Sequence, residues 1–345
     1  MVVASEFNSL PVALRYDVVR GSGADMGIAY VKVTDLSLNE ALIKLAHLDL
    51  ARKEFRCLKR KDLIMTMAKN IHAGAIPFGC HVVAIHQDPR THGAILTTVD
   101  GCTIRAKVVI RCDGGNSVAA KYLGLYAPKT KPGMALHGFT RYSHGRPFGT
   151  EFLRLSREEF FVGIVPVTQN LVYFYLVRPI PPTGIITKDV RATKDSMLEK
   201  LRALDCPSEI IEMVRNSDPE SLNVVNSIRY RPPWQVAFGT FHKGVVTVAG
   251  DAMHASIGQG GSLALEDAVV LARSLSRAAS GGYSVAIQEC VRERRPRVAL
   301  LSLESFVTGT LLSAKSLVTQ LACVAVLALL GTRSLRHANY DCGRL

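Results

Sequence analysis

The sequence predicts an α/β fold: a doubly wound-type domain interrupted by a mostly antiparallel sheet and followed by a helical tail. Three observations carry this. Two short apolar runs, Lys107–Cys112 and Gly244–Gly250, each end at an aspartate and lead towards a helix, the pattern of strands whose carboxyl ends face a ligand. Between them, from about Ala127 to Pro233, aromatic and β-branched runs such as Phe160–Val165 and Leu171–Val177 read as antiparallel strands. Beyond position 300 the chain turns strongly apolar.

Residues 1–50 carry a helix-like stretch from Leu38 to Leu50. Residues 52–70 put Leu63, Ile64 and Met67 on one face of a basic amphipathic helix. Two short strands, His81–Ile85 and Ile95–Val99, follow. The strand Lys107–Cys112 stops at Asp113-Gly114-Gly115, and Ser117–Leu125 resumes as a helix. The central sheet region contains one helix near Lys194–Leu204. After Gly244–Gly250 comes Asp251-Ala252-Met253-His254, then Gly258-Gln259-Gly260-Gly261-Ser262 and an apolar-faced helix, Ser262–Arg277. In the tail, Leu311–Leu330 is interrupted by Lys315, Ser316, Thr319 and Gln320. Its longest unbroken apolar run is half of the roughly 20 residues that span a bilayer, so a helix on a membrane surface or on the protein is expected.

Composition narrows the function. With 48% apolar and 21% charged residues the chain has ample core and is not disordered. A net charge of +13 favours anionic partners, but basic residues are not interleaved with aromatics as nucleic-acid binding would require. Eight scattered cysteines without a CxxC pair argue against zinc or a disulfide framework and for reduced, intracellular thiols. The first residues lack the basic start and apolar run of a signal peptide. Arg292, Arg294, Arg295 and Arg297 read as a solvated helix face, with a nucleotide phosphate or an anionic surface as the alternative partner.

The chemistry lies at the two strand ends. A carboxylate there can accept hydrogen bonds from ribose-type hydroxyls, and glycine lets a ligand approach the backbone. A glycine-rich segment feeding a helix offers unpaired N–H groups and the positive end of the dipole. Each aspartate alone is equally consistent with an ordinary turn.

The stretch from Gly250 through Ala272 resembles the second flavin-binding motif of class A FAD-dependent monooxygenases, the para-hydroxybenzoate hydroxylase group. Asp113-Gly114, with Asn116-Ser117, resembles that family's Asp-Gly motif, and Arg60 with Leu63 resembles its early arginine motif. The stretch from about Arg52, with the closing Tyr340–Leu345, is most similar to plant FAD monooxygenases related to zeaxanthin epoxidase. The resemblance implies FAD and NAD(P)H as cofactors. NAD(P)H would reduce FAD, O₂ would form a C4a-hydroperoxide, and one oxygen atom would pass to a small aromatic or alkene substrate. It implies cofactor contacts at Arg60, Asp113, Gly114, Asp251, Ala252, Gly258, Gln259, Gly260 and Gly261. No catalytic side chain and no metal ligand is assigned.

The expected organisation is a partial FAD-binding domain at 1–125, a substrate-binding sheet at 126–235, the return of the FAD domain at 236–300 and an apolar helical tail at 301–345. The family's opening glycine fingerprint has only a weak counterpart at Gly21–Gly27, followed by the strand-like Ile28–Val33, so the FAD domain is expected to be N-terminally incomplete. The loop after His254 is also short for the family. A rival expectation is a non-catalytic family member that does not retain FAD. Peripheral membrane contact through 311–330 is a further expectation; the sequence leaves the oligomeric state open.

Overall fold

The computed structural model describes residues 31–35, 57–114, 117–149, 152–157, 160–179, 189–255, 260–278, 282–314, 316–334 and 340–343. Gly21–Gly27, the 38–50 stretch, Asn116 and Gly258-Gln259 lie outside these residues.

Three sheets form among the described residues. In the smallest, β5 (Val109–Arg111) and β12 (Val246–Val248) run parallel, with Val246 opposite Val109, and β11 (His242–Lys243) adds antiparallel to β12. Every residue of β5 and β12 is buried, as expected of parallel strands covered on both faces. Val108 and Ile110 pack against Val270 and Leu271 of α7 (Gly260–Ser276) and Ile287 and Cys290 of α8 (Tyr283–Ser313). Burial pushes the Cys290 thiol up to about 12.

An antiparallel meander joins β2 (Val82–Gln87), β3 (Ala94–Thr98) and β4 (Thr103–Ala106). Its β3–β4 turn contains Asp100-Gly101, with Gly101 at φ 82°, a conformation that favours glycine. Leu96 and Val82 join β5 and β12 residues in one core.

The six-stranded sheet has the order β1 (Val31–Asp35), β7 (Phe152–Arg157), β8 (Phe160–Thr168), β9 (Leu171–Arg178), β6 (Lys129–Arg141) and β10 (Asn223–Tyr230). Only β1 pairs in parallel, with β7; the other pairings are antiparallel. One face buries Leu136, Val162, Ile164, Phe174 and Leu176 under α3 (Val190–Ala203) and α4 (Ser208–Arg215). The period-2 alternation of these strands selects that face. Asp189 caps α3, accepting from Arg191 N at 2.8 Å.

Of the amphipathic stretch 52–70, whose residues 52–56 lie outside the described ones, α1 spans Arg60–Lys69 and buries no residue. The helix after Asp113 is α2 (Val118–Tyr122), and α5 (Pro233–Phe238) precedes β11. At the far end, α8 runs unbroken through position 301, where the sequence suggests a tail begins. It ends at Ser313, and α9 (Leu317–Ser334) packs back against it.

Candidate cofactor site

The carboxyl ends of β5 and β12 lie side by side, joined by Ala249 N donating to the Arg111 carbonyl at 3.1 Å. Both sequence-derived aspartates therefore emerge at one edge of the parallel sheet. Beyond β5, the Asp113 carboxylate accepts from Arg111 Nε at 3.0 Å, from Arg111 Nη2, and from Val118 N at 3.3 Å. Ser117 completes the cap of α2, its Oγ accepting from Ala120 N at 3.1 Å. Burial alone would raise the Asp113 carboxyl; hydrogen bonds from Arg111 and Ser117 and the Arg111 charge outweigh it and hold the group below its usual value. Gly114 follows at φ 72°.

Beyond β12, Gly250 adopts φ 60° and ψ −141°, a region essentially confined to glycine. That turn starts α6 (Asp251–His254), leaving Asp251 exposed while Ala252, Met253 and His254 are buried. At the first residue of α7, a Cβ on Gly260 would come within 2.8 Å of Asp251 Oδ1. The Asp251 carboxylate thus sits against the N-terminal turn of a 17-residue helix. A Cβ on Gly261 would meet nothing within 4 Å, so this side of the turn is open.

This arrangement fits the ribityl side of FAD. An exposed carboxylate can accept from ribityl hydroxyls, and helix N–H groups stand beside it as donors to an anionic partner. Asp251, Ala252, Gly260 and Gly261 are brought together, with Asp113 and Gly114 on the neighbouring strand end. Arg60 opens α1 and is exposed; no hydrogen bond or ion pair joins it to Asp113 or Asp251 among the described residues.

Sequence reasoning missed the network beneath this site. Asp267, on the buried face of α7, accepts from Gly250 N at 2.9 Å and lies 2.6 Å from His254 Nε2 through the same oxygen, Oδ2. Its Oδ1 accepts from Arg294 Nε of α8 at 2.7 Å. Burial alone would raise the Asp267 carboxyl, but the His254 hydrogen bond and the charges of His254 and Arg294 keep it low. Arg294 also pairs with Glu266 at 2.8 Å, and Glu266 accepts from Arg297 Nε at 2.6 Å. Both guanidinium groups lie over the Tyr340 ring, at 5.1 and 4.1 Å.

The arginine cluster is therefore not the solvated face that charge patterning suggests. Arg294 is buried, and Arg295 donates to the Ala237 and Gly239 carbonyls at 2.9 and 2.8 Å. Arg292 alone of the four is fully at the surface, lining a polar cavity of about 440 Å³ with Arg273, Arg277, Glu289 and Glu293.

The six-stranded sheet presents aromatic side chains on the face away from α3 and α4. Tyr173 lies 5.3 Å from Phe139, 6.1 Å from His137 and 6.3 Å from Tyr175, ring centre to ring centre. Burial pushes the Tyr173 hydroxyl up to about 12, with the Cys57 and Tyr175 charges adding to the rise, and lowers His137. Lys59, just before α1, places Nζ 5.6 Å from the centre of the Phe139 ring.

Known proteins resemble this chain in sequence and in fold. The family profile described as FAD binding domain matches residues 58–304. Monooxygenase 1 of Arabidopsis thaliana is 37% identical over an alignment 368 positions long, covering 96% of this chain and 92% of that protein. Monooxygenase 2 of the same plant is 34% identical, covering 65% of this chain and 54% of its own length. Among solved structures, Klebsiella pneumoniae HpxO complexed with FAD and uric acid aligns with a TM-score of 0.67 at 21% identity, covering 90% of this chain and 80% of that one. A salicylate hydroxylase substrate complex aligns with a TM-score of 0.64 at 22% identity, covering 83% and 74%. These two likenesses share the fold, whereas the family profile and the plant relatives carry the sequence relationship. By that relationship the chain belongs to the class A FAD-dependent monooxygenases.

Proposed function

We propose that this protein binds FAD between the β5 and β12 strand ends and uses NAD(P)H and O₂ to hydroxylate or epoxidise a small aromatic or alkene substrate. The observation that carries this reading is the Asp251 carboxylate set against the open N-terminal turn of α7, with glycine at position 260, where a side chain would meet that carboxylate, and open space at Gly261.

Each proposed role follows from chemistry. Asp251 accepts hydrogen bonds from the ribityl hydroxyls, and Ala252 keeps the neighbouring backbone approachable. Gly260 and Gly261, with Gly258 and Gln259 before them in sequence, would let the α7 N–H groups approach the ring, where the helix dipole favours negative charge. Asp113 and Gly114 lie by the pyrophosphate, and Arg60 reaches the cofactor from α1. When bound, FAD supplies the redox step, taking hydride from NAD(P)H and activating O₂. The chain's own work is binding, orientation and exclusion of water.

The same reading divides the chain into FAD-binding segments at 1–125 and 236–300, a substrate sheet at 126–235 and a tail at 301–345. The aromatic face at Phe139, Tyr173 and Tyr175 supports a flat, apolar substrate, with His137 as its polar neighbour. Relatives whose names record ring substrates, such as the FAD-dependent urate hydroxylase of Mycolicibacterium vanbaalenii, 28% identical over 221 residues, are in keeping with its flatness.

The test is the visible spectrum of the purified protein after incubation with FAD and gel filtration. Retained flavin bands that bleach on adding NADPH support the proposal, and Asp251→Ala should weaken FAD binding by about tenfold or more. Protein that stays colourless at saturating FAD would establish the non-catalytic alternative.

A further inference from the structure

Helix α9 is apolar on nearly every side, which is stable only where something covers it. One side faces protein: Cys323 is buried, and Gln320 Nε2 donates to the Ala314 carbonyl at 3.0 Å beside α8. The opposite side exposes Leu317 (64%), Val318 (77%), Leu321 (51%) and Leu329 (78%). Four large aliphatic side chains on one short helix form a patch of a kind that marks an interaction surface.

Charge identifies the partner. From Ser305 through Tyr340 the sequence contains no aspartate or glutamate, while Lys315 precedes the α9 segment in sequence, Arg333 belongs to its last turn and Arg336 follows it in sequence. The whole chain carries +13. We propose that α9 is a peripheral membrane element. It lies along an anionic lipid surface with Leu317, Val318, Leu321 and Leu329 in the acyl boundary and its basic flanks at the phosphate headgroups.

The alternatives fit less well. A second copy pairing antiparallel through α9 would bring Lys315 towards the partner's Arg333 with no carboxylate in either segment to offset the repulsion. No helix among the described residues is long and apolar enough to cross a membrane. The unbroken run Leu321–Leu330 rises about 15 Å, half of a hydrocarbon core of about 30 Å.

Flotation of the full chain with lipid vesicles tests this, comparing phosphatidylcholine containing about 30% phosphatidylserine with phosphatidylcholine alone, in roughly 0.1 M and roughly 0.5 M NaCl. Each basic residue near an anionic surface strengthens binding by about fivefold, so the serine-lipid vesicles should be preferred by at least about tenfold at low salt. That preference should largely vanish at high salt. The double variant Leu321→Glu/Leu329→Glu should lose at least about tenfold in binding to the same vesicles, with an unchanged circular dichroism spectrum.

Failure of the wild-type chain to float with serine-lipid vesicles would overturn the proposal, as would equal flotation by the folded double variant. A concentration-dependent dimer in light scattering, converted to monomer by the same substitutions, would assign the face to a second copy instead. Should the variant misfold, the lipid and salt comparisons on the wild-type chain decide alone.

Discussion

His254 Nε2 and Asp267 Oδ2 lie 2.6 Å apart, both side chains almost wholly shielded from solvent, and the same oxygen takes the Gly250 N–H at 2.9 Å. The turn that presents Asp251 is thereby tied to α7, and Arg294 ties α7 to α8 through the other oxygen. Asp251 and the α7 N-terminus are held as one unit. Removing the carboxylate strands a guanidinium in a buried setting, which costs far more than the pair contributes net. Asp267→Ala should destabilise the protein by about 3–5 kcal/mol in urea unfolding. Asp267→Asn, which keeps one acceptor and the same shape, should cost roughly 1–3 kcal/mol and weaken FAD binding.

The same carboxylate makes acid stability predictable. Asp267 is held below its ordinary value in the folded state by His254 and Arg294, against burial. Its stabilisation is therefore fully present above the unfolded value, near pH 3.9, and is lost as pH falls through the lower folded value. Denaturation measured from neutral pH downwards should show wild type losing its advantage over Asp267→Asn below about pH 4. A constant difference between the two across that range would refute the assignment.

Substitutions at two adjacent glycines should act by different routes. A Cβ at Gly260 would sit 2.8 Å from Asp251 Oδ1, whereas one at Gly261 meets nothing within 4 Å. Gly260→Ala should push the Asp251 carboxylate out of place and weaken FAD binding by roughly tenfold, with a stability change of about 1 kcal/mol or less. Gly261→Ala, in the first turn of a helix, should leave the FAD-free protein as stable or up to about 1 kcal/mol more stable. Its methyl group would intrude only on a bound ligand, so weakened FAD binding without lost stability would place the cofactor at this turn. Thermal unfolding with and without FAD separates the two effects.

Much of this was legible in the sequence where pattern is local. The runs ending at Asp113 and Asp251 predicted the strands β5 and β12, though not that they lie side by side, and the aromatic stretches predicted β8 and β9. The strand-like character of residues 28–33 agrees with β1 over its described part. The strand β4 was missed because Thr103–Ala106 has one large apolar residue, although Asp100-Gly101 is a strong hairpin signal. The long α8 went unread because its composition is mixed and Pro296 lies inside it. The polar network was within reach. Asp267 shares the helical face of Leu263, Val270 and Leu271, and Arg294 that of Ile287, Val291, Val298 and Leu301. A charge on an apolar face must find a partner, but sequence spacing cannot say that these two find each other across 27 residues.

The aromatic face rests on one glycine. Gly163 on β8 is registered opposite Tyr175 on β9, and a Cβ there would collide with the Tyr175 ring. The absent side chain lets that ring lie across the neighbouring strand next to Tyr173, their centres 6.3 Å apart. Gly163→Ala must rotate Tyr175 away, at a cost of about 1–3 kcal/mol from overpacking. It should leave FAD binding unchanged, because the strand ends of β5 and β12 belong to another sheet. If this face holds the substrate, KM should rise several-fold while flavin reduction in its absence stays constant. Tyr175→Phe, which keeps the ring, should leave FAD binding unchanged. A Gly163→Ala variant in which FAD binding falls together with stability would show that the sheet and the cofactor site are not independent.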